Sequence, residues 1–208
     1  MISHKHKCIF IHLPRTAGTA IEFALRNSEG NIWLKHITQA RSEEEYSKYW
    51  NDYKKFTVVR NPFDWLVSYI HLDAYHLCDA YHALHFLKKK RRDGKLNFKR
   101  LVRRLIKTND LNTIPSPGWF TQRCRFFDTF TPSDMDLIIK FEDLEKGIED
   151  LSKLLDSEVI LPAREDIPEE HCPKTIRTKN HRLYYDPETR DLVTSFFAEE
   201  LDCFGYKF

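Results

Sequence analysis

Residues 10–20 read FIHLPRTAGTA, an apolar run that breaks into a Pro-Arg-Thr-Ala-Gly-Thr turn and then enters helix-forming sequence. The run KCIFIHL (7–13) suits a buried strand, and TAIEFALRN after the turn has helical composition. A turn that joins a strand end to a helix start can aim the amides of Thr16, Ala17, Gly18, Thr19 and Ala20 at one point. Unpaired amides there, together with the helix dipole, make an anion site. Gly18 would let the backbone approach the anion, and Thr16 and Thr19 would add hydroxyl donors. The pattern GxxxxGK[ST] is absent, and with it the lysine and hydroxyl that grip the β/γ-phosphates and Mg²⁺, so nucleoside triphosphate hydrolysis is disfavoured. Taken alone, the stretch also reads as an ordinary Thr-capped strand-to-helix turn.

Working outward, KFTVVR (55–60) is the strongest strand signal and runs straight into NPFDWLVSYI. There Asn61 can cap a helix, Pro62 suits its first turn, and Asp64 favours the same positive end. MDLIIKF (135–141) is another strand, followed by helical EDLEKGIEDLSKLL, and NIWLK (31–35) is a weaker one. DPETRDLVTSFFAEEL, near the C-terminus, reads as one more capped helix. Repeated strand-then-helix order predicts an α/β fold: three layers, with a P-loop-like parallel sheet of four to five strands flanked by helices. Ligands of such sheets sit at the carboxyl ends of the strands, where the opening turn lies. Arg60 also stands at a strand end, with Ser68 eight residues on in the next helix, and the two could clamp a second phosphate. The plainer readings are an arginine paired with a carboxylate and a small helix-packing serine.

A length of 208 residues, with 41% hydrophobic and 13% aromatic residues, bounds the chain to one globular domain, 1–208, with a basic helical insertion at about 86–108. No apolar run approaches the roughly 18 residues of a membrane span, and the N-terminal stretch reads as a first strand rather than a signal peptide. Five scattered cysteines with no C-x-x-C pair favour a reduced, cytoplasmic chain. Net charge is +2, yet residues 88–107 alone carry +10, which leaves −8 for the rest. That asymmetry points to an anionic partner for the segment. In LNFKRLVRRLIK, Phe98, Leu101, Val102 and Leu105 form an apolar stripe opposite Lys99, Arg100, Arg103 and Arg104. An ordinary surface helix, a surface for an acidic acceptor, and a nucleic-acid or anionic-membrane contact all fit this pattern.

FIHLPRTAGTAI, then VVRNPFDWLVSY, then MDLIIKFEDLEKG, then FFAEELDCFGYKF resemble, in that order, the sulfotransferases, particularly the carbohydrate-type branch. The likeness extends from about Cys8 to Phe208. It implies 3′-phosphoadenosine 5′-phosphosulfate (PAPS) as co-substrate and PAP as product, with no metal. Arg15, Thr16, Ala17, Gly18, Thr19 and Ala20 would wrap the 5′-phosphosulfate. Arg60 and Ser68 would hold the 3′-phosphate, and Lys179, in the basic stretch HCPKTIRTKNHR (171–182), could close over the phosphates. The family usually has lysine where this chain has Arg15. Arginine keeps the charge, but its donor geometry differs and it cannot give up a proton. The resemblance also places a catalytic histidine in the interval that holds His36, whose ordinary pKa near 6.5 suits a general base. A histidine that only binds substrate or packs is the alternative there, and Lys35 beside it is a weaker candidate for neutralising charge. The implied reaction is in-line transfer to an acceptor hydroxyl on a carbohydrate, itself acidic if the basic segment binds it, with no nucleic acid expected as partner. A non-catalytic nucleotide- or acidic-glycan-binding protein of the same fold is the rival reading, and a nucleotide kinase of related architecture stands behind it.

Weaker signals remain. HLDAYHLCDAYHALH aligns His71, Tyr75, Cys78, His82 and His85 on one helical face, which fits packing or a cleft wall better than a metal site. SPGWFTQRCRFF (116–127) sets Trp119 and Phe120 beside Gln122 and Arg123, as a nucleotide base, a sugar ring or a closing core would each require. Glu142 and Asp143 are read as a strand-to-helix junction, outside the catalytic set.

Overall fold

A computed structural model describes residues 1–26, 38–71, 97–110, 123–168 and 180–208, together with the backbone of 91–92 and 95–96. In chain order the strands and α-helices are β1 (Ile2–Ser3), β2 (Cys8–Ile11), α1 (Gly18–Ala24), α2 (Gln39–Glu45), β3 (Lys54–Val59), α3 (Pro62–Ile70), β4 (Arg91–Arg92), β5 (Lys95–Leu96), α4 (Phe98–Thr108), β6 (Leu137–Lys140), α5 (Leu144–Leu154), α6 (Pro187–Phe196) and α7 (Ala198–Phe204). The residues group into two compact units: 1–60 with 126–171, and 61–125 with 172–208.

The first unit holds a four-stranded sheet in the order β1-β2-β3-β6. β2 pairs parallel with β3, Phe10 opposite Phe56, and β3 pairs parallel with β6, Phe56 opposite Leu137. The expected parallel α/β sheet is therefore present. Its edge differs from expectation, because β1 adds an antiparallel strand with Ile2 opposite Ile9. The candidate strand 31–35 lies outside the described residues. All four residues of β2 are buried, which explains why its sequence is apolar without alternation. Phe10, Ile21, Phe56, Val58, Ile139, Ile148 and Leu151 make the core between sheet and helices. Helix α5 comes unusually close to β6, since a Cβ on Gly147 would stand 2.2 Å from Ile139 Cγ2. Asp136 fixes the start of the β3–β6 pairing by accepting from the Lys55 amide at 2.8 Å.

The second unit is mainly helical. Asn61 caps α3 as its sequence predicts, its side chain accepting from the Phe63 amide at 3.1 Å. Trp65 stacks on Tyr69 and meets Phe197 edge-on. Phe98, Leu101, Val102 and Leu105 of α4 are all buried, so the amphipathic reading of that helix holds. The C-terminal helical stretch differs from expectation. It starts at an Asp186–Thr189 capping box but breaks into α6 and α7 around Phe197, whose backbone leaves the helical region at φ −102°, ψ 23°. Among the described residues no helix is long and apolar enough to cross a membrane.

Candidate functional site: a strained turn among arginines

The turn between β2 and α1 is built on two residues in the left-handed region, Arg15 at φ 65° and Ala17 at φ 63°. Neither is Gly, Asn or Asp, so each costs on the order of 1–2 kcal/mol and persists only because its surroundings hold it. Three hydrogen bonds do the holding. Arg60, at the end of β3, donates through Nη1 to the Arg15 carbonyl at 3.0 Å. Thr16 Oγ1 donates to the Leu13 carbonyl at 2.7 Å, and the Ile21 amide donates to the Ala17 carbonyl at 3.3 Å. Strain of this kind, over-determined by its neighbours, is characteristic of binding sites.

Those bonds revise what each residue can offer a ligand. Thr16 is fully buried and its hydroxyl hydrogen goes to Leu13, so its contribution to an anion would come from the backbone amide. Helix α1 has only seven residues, less than two turns, and its dipole is correspondingly small. Positive charge must therefore come from side chains. Arg15 is the centre of that charge: burial, then Arg60, then Arg164 push its pKa down to about 10. It remains a cation at neutral pH, but beside two others of the same sign, an arrangement that a bound anion would relieve. Arg60 is buried, with its guanidinium 4.1 Å from the Phe141 ring centroid, which fixes it at the strand end.

Arg164 is the member that sequence reading missed. It sits in a short 3₁₀ turn at Arg164–Asp166, in LPAREDIP, a stretch with no motif and mixed charge. No local pattern marks it, and only the fold brings its charge to bear on Arg15. Below the turn lies a second missed feature, the buried pair of His12 Nδ1 and Glu22 Oε1 at 2.8 Å.

Gly18, Thr19 and Ala20 form the first turn of α1, as their sequence suggests. Ser68 is buried within α3, in the second unit. His36, Lys35 and Lys179 lie outside the described residues, as do Cys78, His82, His85, Trp119 and Phe120. His71 ends α3, its Nδ1 2.9 Å from the Val67 carbonyl. Among the described residues no group of three or more His, Cys, Asp or Glu could hold a metal ion. Of the basic face of α4, Lys99 pairs with Asp186 and Arg103 makes a two-point pair with Glu188. Part of that charge therefore serves the contact between α4 and α6.

A buried parallel strand and a strained turn that holds Arg15 and is bonded by Arg60 suit a protein that handles anionic groups. No curated protein and no solved structure matches the chain. A family model described as "Sulfotransferase family" matches residues 1–207. A match over almost every residue, on a fold of the expected α/β class, settles the matter: the chain belongs to the sulfotransferase family.

Proposed function

We propose that this chain transfers a sulfuryl group from PAPS to a hydroxyl of a carbohydrate acceptor. The observation that carries this reading is the strained, amide-rich turn, with Arg15 in it and Arg60 bonded to its backbone, in a chain of this family. PAPS, when bound, supplies the sulfuryl group. The residues of the turn fit an anion of that kind: the amides of Thr16 to Ala20 and the Arg15 guanidinium hold the 5′-phosphosulfate, and Arg164 adds a third cation. Arg60 and Ser68 take the 3′-phosphate and Lys179 closes over the phosphates, roles that rest on the family resemblance and, for Arg60, also on its place at the end of β3. Arg15 balances charge on the departing phosphate by position and electrostatics, with no proton to give. His36 accepts the proton of the attacking hydroxyl; this role rests on the resemblance alone. The carbohydrate nature of the acceptor has the same basis.

Arginine in the position usually held by lysine favours one other reading, a protein that binds PAP or an acidic glycan without transfer. Calorimetric titration with PAP, using ADP as the control that lacks a 3′-phosphate, tests the cofactor site without knowledge of the acceptor. Tight PAP binding with weak ADP binding is expected, and equal or absent binding would remove PAPS from the account. Arg60→Ala should weaken PAP by about 1.5–3 kcal/mol, the scale of a charged hydrogen bond. His36→Ala should bind PAP normally and transfer nothing; if wild type also transfers nothing to a broad acceptor panel, the non-catalytic reading replaces this one.

A further inference from the structure

Three near-parallel rings lead from the core of the first unit up to the anion turn. Phe56 stacks on Phe10 with centroids 4.8 Å apart at 13°, and Phe10 stacks on His12 with centroids 5.3 Å apart at 14°. His12 is the residue after β2, and its ring is held from the other side by Glu22 of α1. Nδ1 stands 2.8 Å from Glu22 Oε1, with side-chain exposures of 3% and 2%. This contact ties the Nδ1 edge of the ring to α1. The rest of the ring lies directly beneath Gly18. A Cβ built there would stand 1.9 Å from Nε2 and 2.0 Å from Cδ2 of His12. The glycine is thus required by the histidine under it and not by its own backbone angle, since Gly18 is not among the positive-φ residues.

We propose that His12 is the positioning residue of the anion turn: clamped by Phe10 and Glu22, its ring fills the space under Gly18 and sets the height and tilt of the turn amides. The inference rests on the reading of this turn as the phosphosulfate site, and deepens it. His12 is buried beneath the backbone of Gly18, so its effect reaches the ligand through the turn. Displacement of the amides by a few tenths of an ångström changes how they meet an anion, as expected of a preorganised donor set. Glu22 keeps the ring from rotating, and Phe10 keeps it level.

The consequence is a coupling between two positions. Gly18→Ala must push the turn off the His12 ring, whereas the same change should be harmless once the ring is gone. His12→Asn is the informative partner, because the Asn amide can keep a hydrogen bond to Glu22 while lacking the ring atoms that reach Gly18. PAP titrations of wild type, Gly18→Ala, His12→Asn and the double variant close a cycle, and thermal unfolding of each controls for the fold. We expect His12→Asn to unfold cooperatively at a somewhat lower temperature, because the buried ring leaves a cavity, and to bind PAP about tenfold more weakly at a temperature where it is fully folded. Gly18→Ala should weaken PAP by at least about tenfold in the wild-type background and by less than about twofold in the His12→Asn background. Wild-type PAP affinity in His12→Asn, or the same penalty for Gly18→Ala in both backgrounds, overturns the proposal and leaves the PAPS reading intact. Failure of wild type itself to bind PAP removes the PAPS reading, and this inference with it.

Discussion

Two pairs of a basic and an acidic side chain, one in each unit, have nearly the same length and opposite settings. His12 and Glu22 meet at 2.8 Å with almost no solvent exposure. Arg103 and Glu188 meet at 2.7 Å with side chains 44% and 69% exposed. Distance alone would rank them nearly equal. Solvent decides otherwise, because water screens the outer pair and compensates either partner that is left alone, whereas a buried partner left alone keeps its full desolvation penalty. The first unit therefore concentrates polar groups where each must be matched, beneath a turn whose backbone is itself strained. The second uses charge to fasten helices whose burial is already secured by Trp65, Tyr69, Leu101 and Phe197.

The comparison breaks if the buried pair proves dispensable. Glu22→Ala removes the Oε1 contact to buried His12 Nδ1, and we expect a loss of about 2–3 kcal/mol in unfolding free energy by urea titration. Glu22→Gln, which keeps an acceptor, should lose clearly less. An equal loss for both would mean that side-chain packing, not polarity, is what Glu22 supplies. The next effect in size probes how tightly the same unit is packed. Gly147→Ala would gain about 1 kcal/mol of helix propensity but drives a methyl into Ile139, an overpacking cost of about 1–3 kcal/mol. Net destabilisation by about 1 kcal/mol is expected, an increment that should vanish in an Ile139→Ala background, and a stabilised single variant would show that α5 shifts freely on β6.

How far the sequence could be read follows the same division. β2 and most of β3 are legible because burial on both faces leaves continuous apolar runs, β6 because Leu137, Ile138 and Ile139 run together, and α3 because Asn61 and Pro62 mark its start. The antiparallel β1 was not, since two residues carry no period. In the turn, residue types announced an anion site and the order of four motifs announced the family. The inner supports were invisible. His12 and Glu22 are ten residues apart on different elements, and Arg164 reaches Arg15 only through the fold. The Thr16 hydroxyl, which its residue type offers as a ligand donor, bonds to Leu13 three residues back. Local chemistry is written in local sequence; positioning is written in contacts across it.

The smaller effects belong to the second unit. Asp186 is held below the usual carboxylate range by the hydrogen bond from Lys99 and those from Thr189. Its folded pKa is depressed, so its contribution is present above the unfolded value near 4 and is lost as pH falls through the folded value. Asp186→Asn preserves the cap on α6 but not the charge for Lys99. It should lower Tm slightly at neutral pH, and the gap to wild type should close as the pH drops below about 4. A gap that widens in acid would reverse the sign and exclude Asp186 as its source.

Arg103→Ala should do least of all, despite removing two hydrogen bonds to Glu188. Glu188 lies in the first turn of α6, where the positive end of the helix favours its charge even without a partner. Water solvates the carboxylate at once, and the long arginine side chain regains the rotamer freedom that the pair had taken. Physiological salt, with a screening length of about 8 Å, weakens what attraction remains, so the urea midpoint should match wild type there and differ only in dilute buffer. A penalty in physiological salt as large as that of Glu22→Ala would mean that exposure does not separate the two pairs, and that the contact between α4 and α6 depends on charge as strictly as the anion turn depends on its buried support.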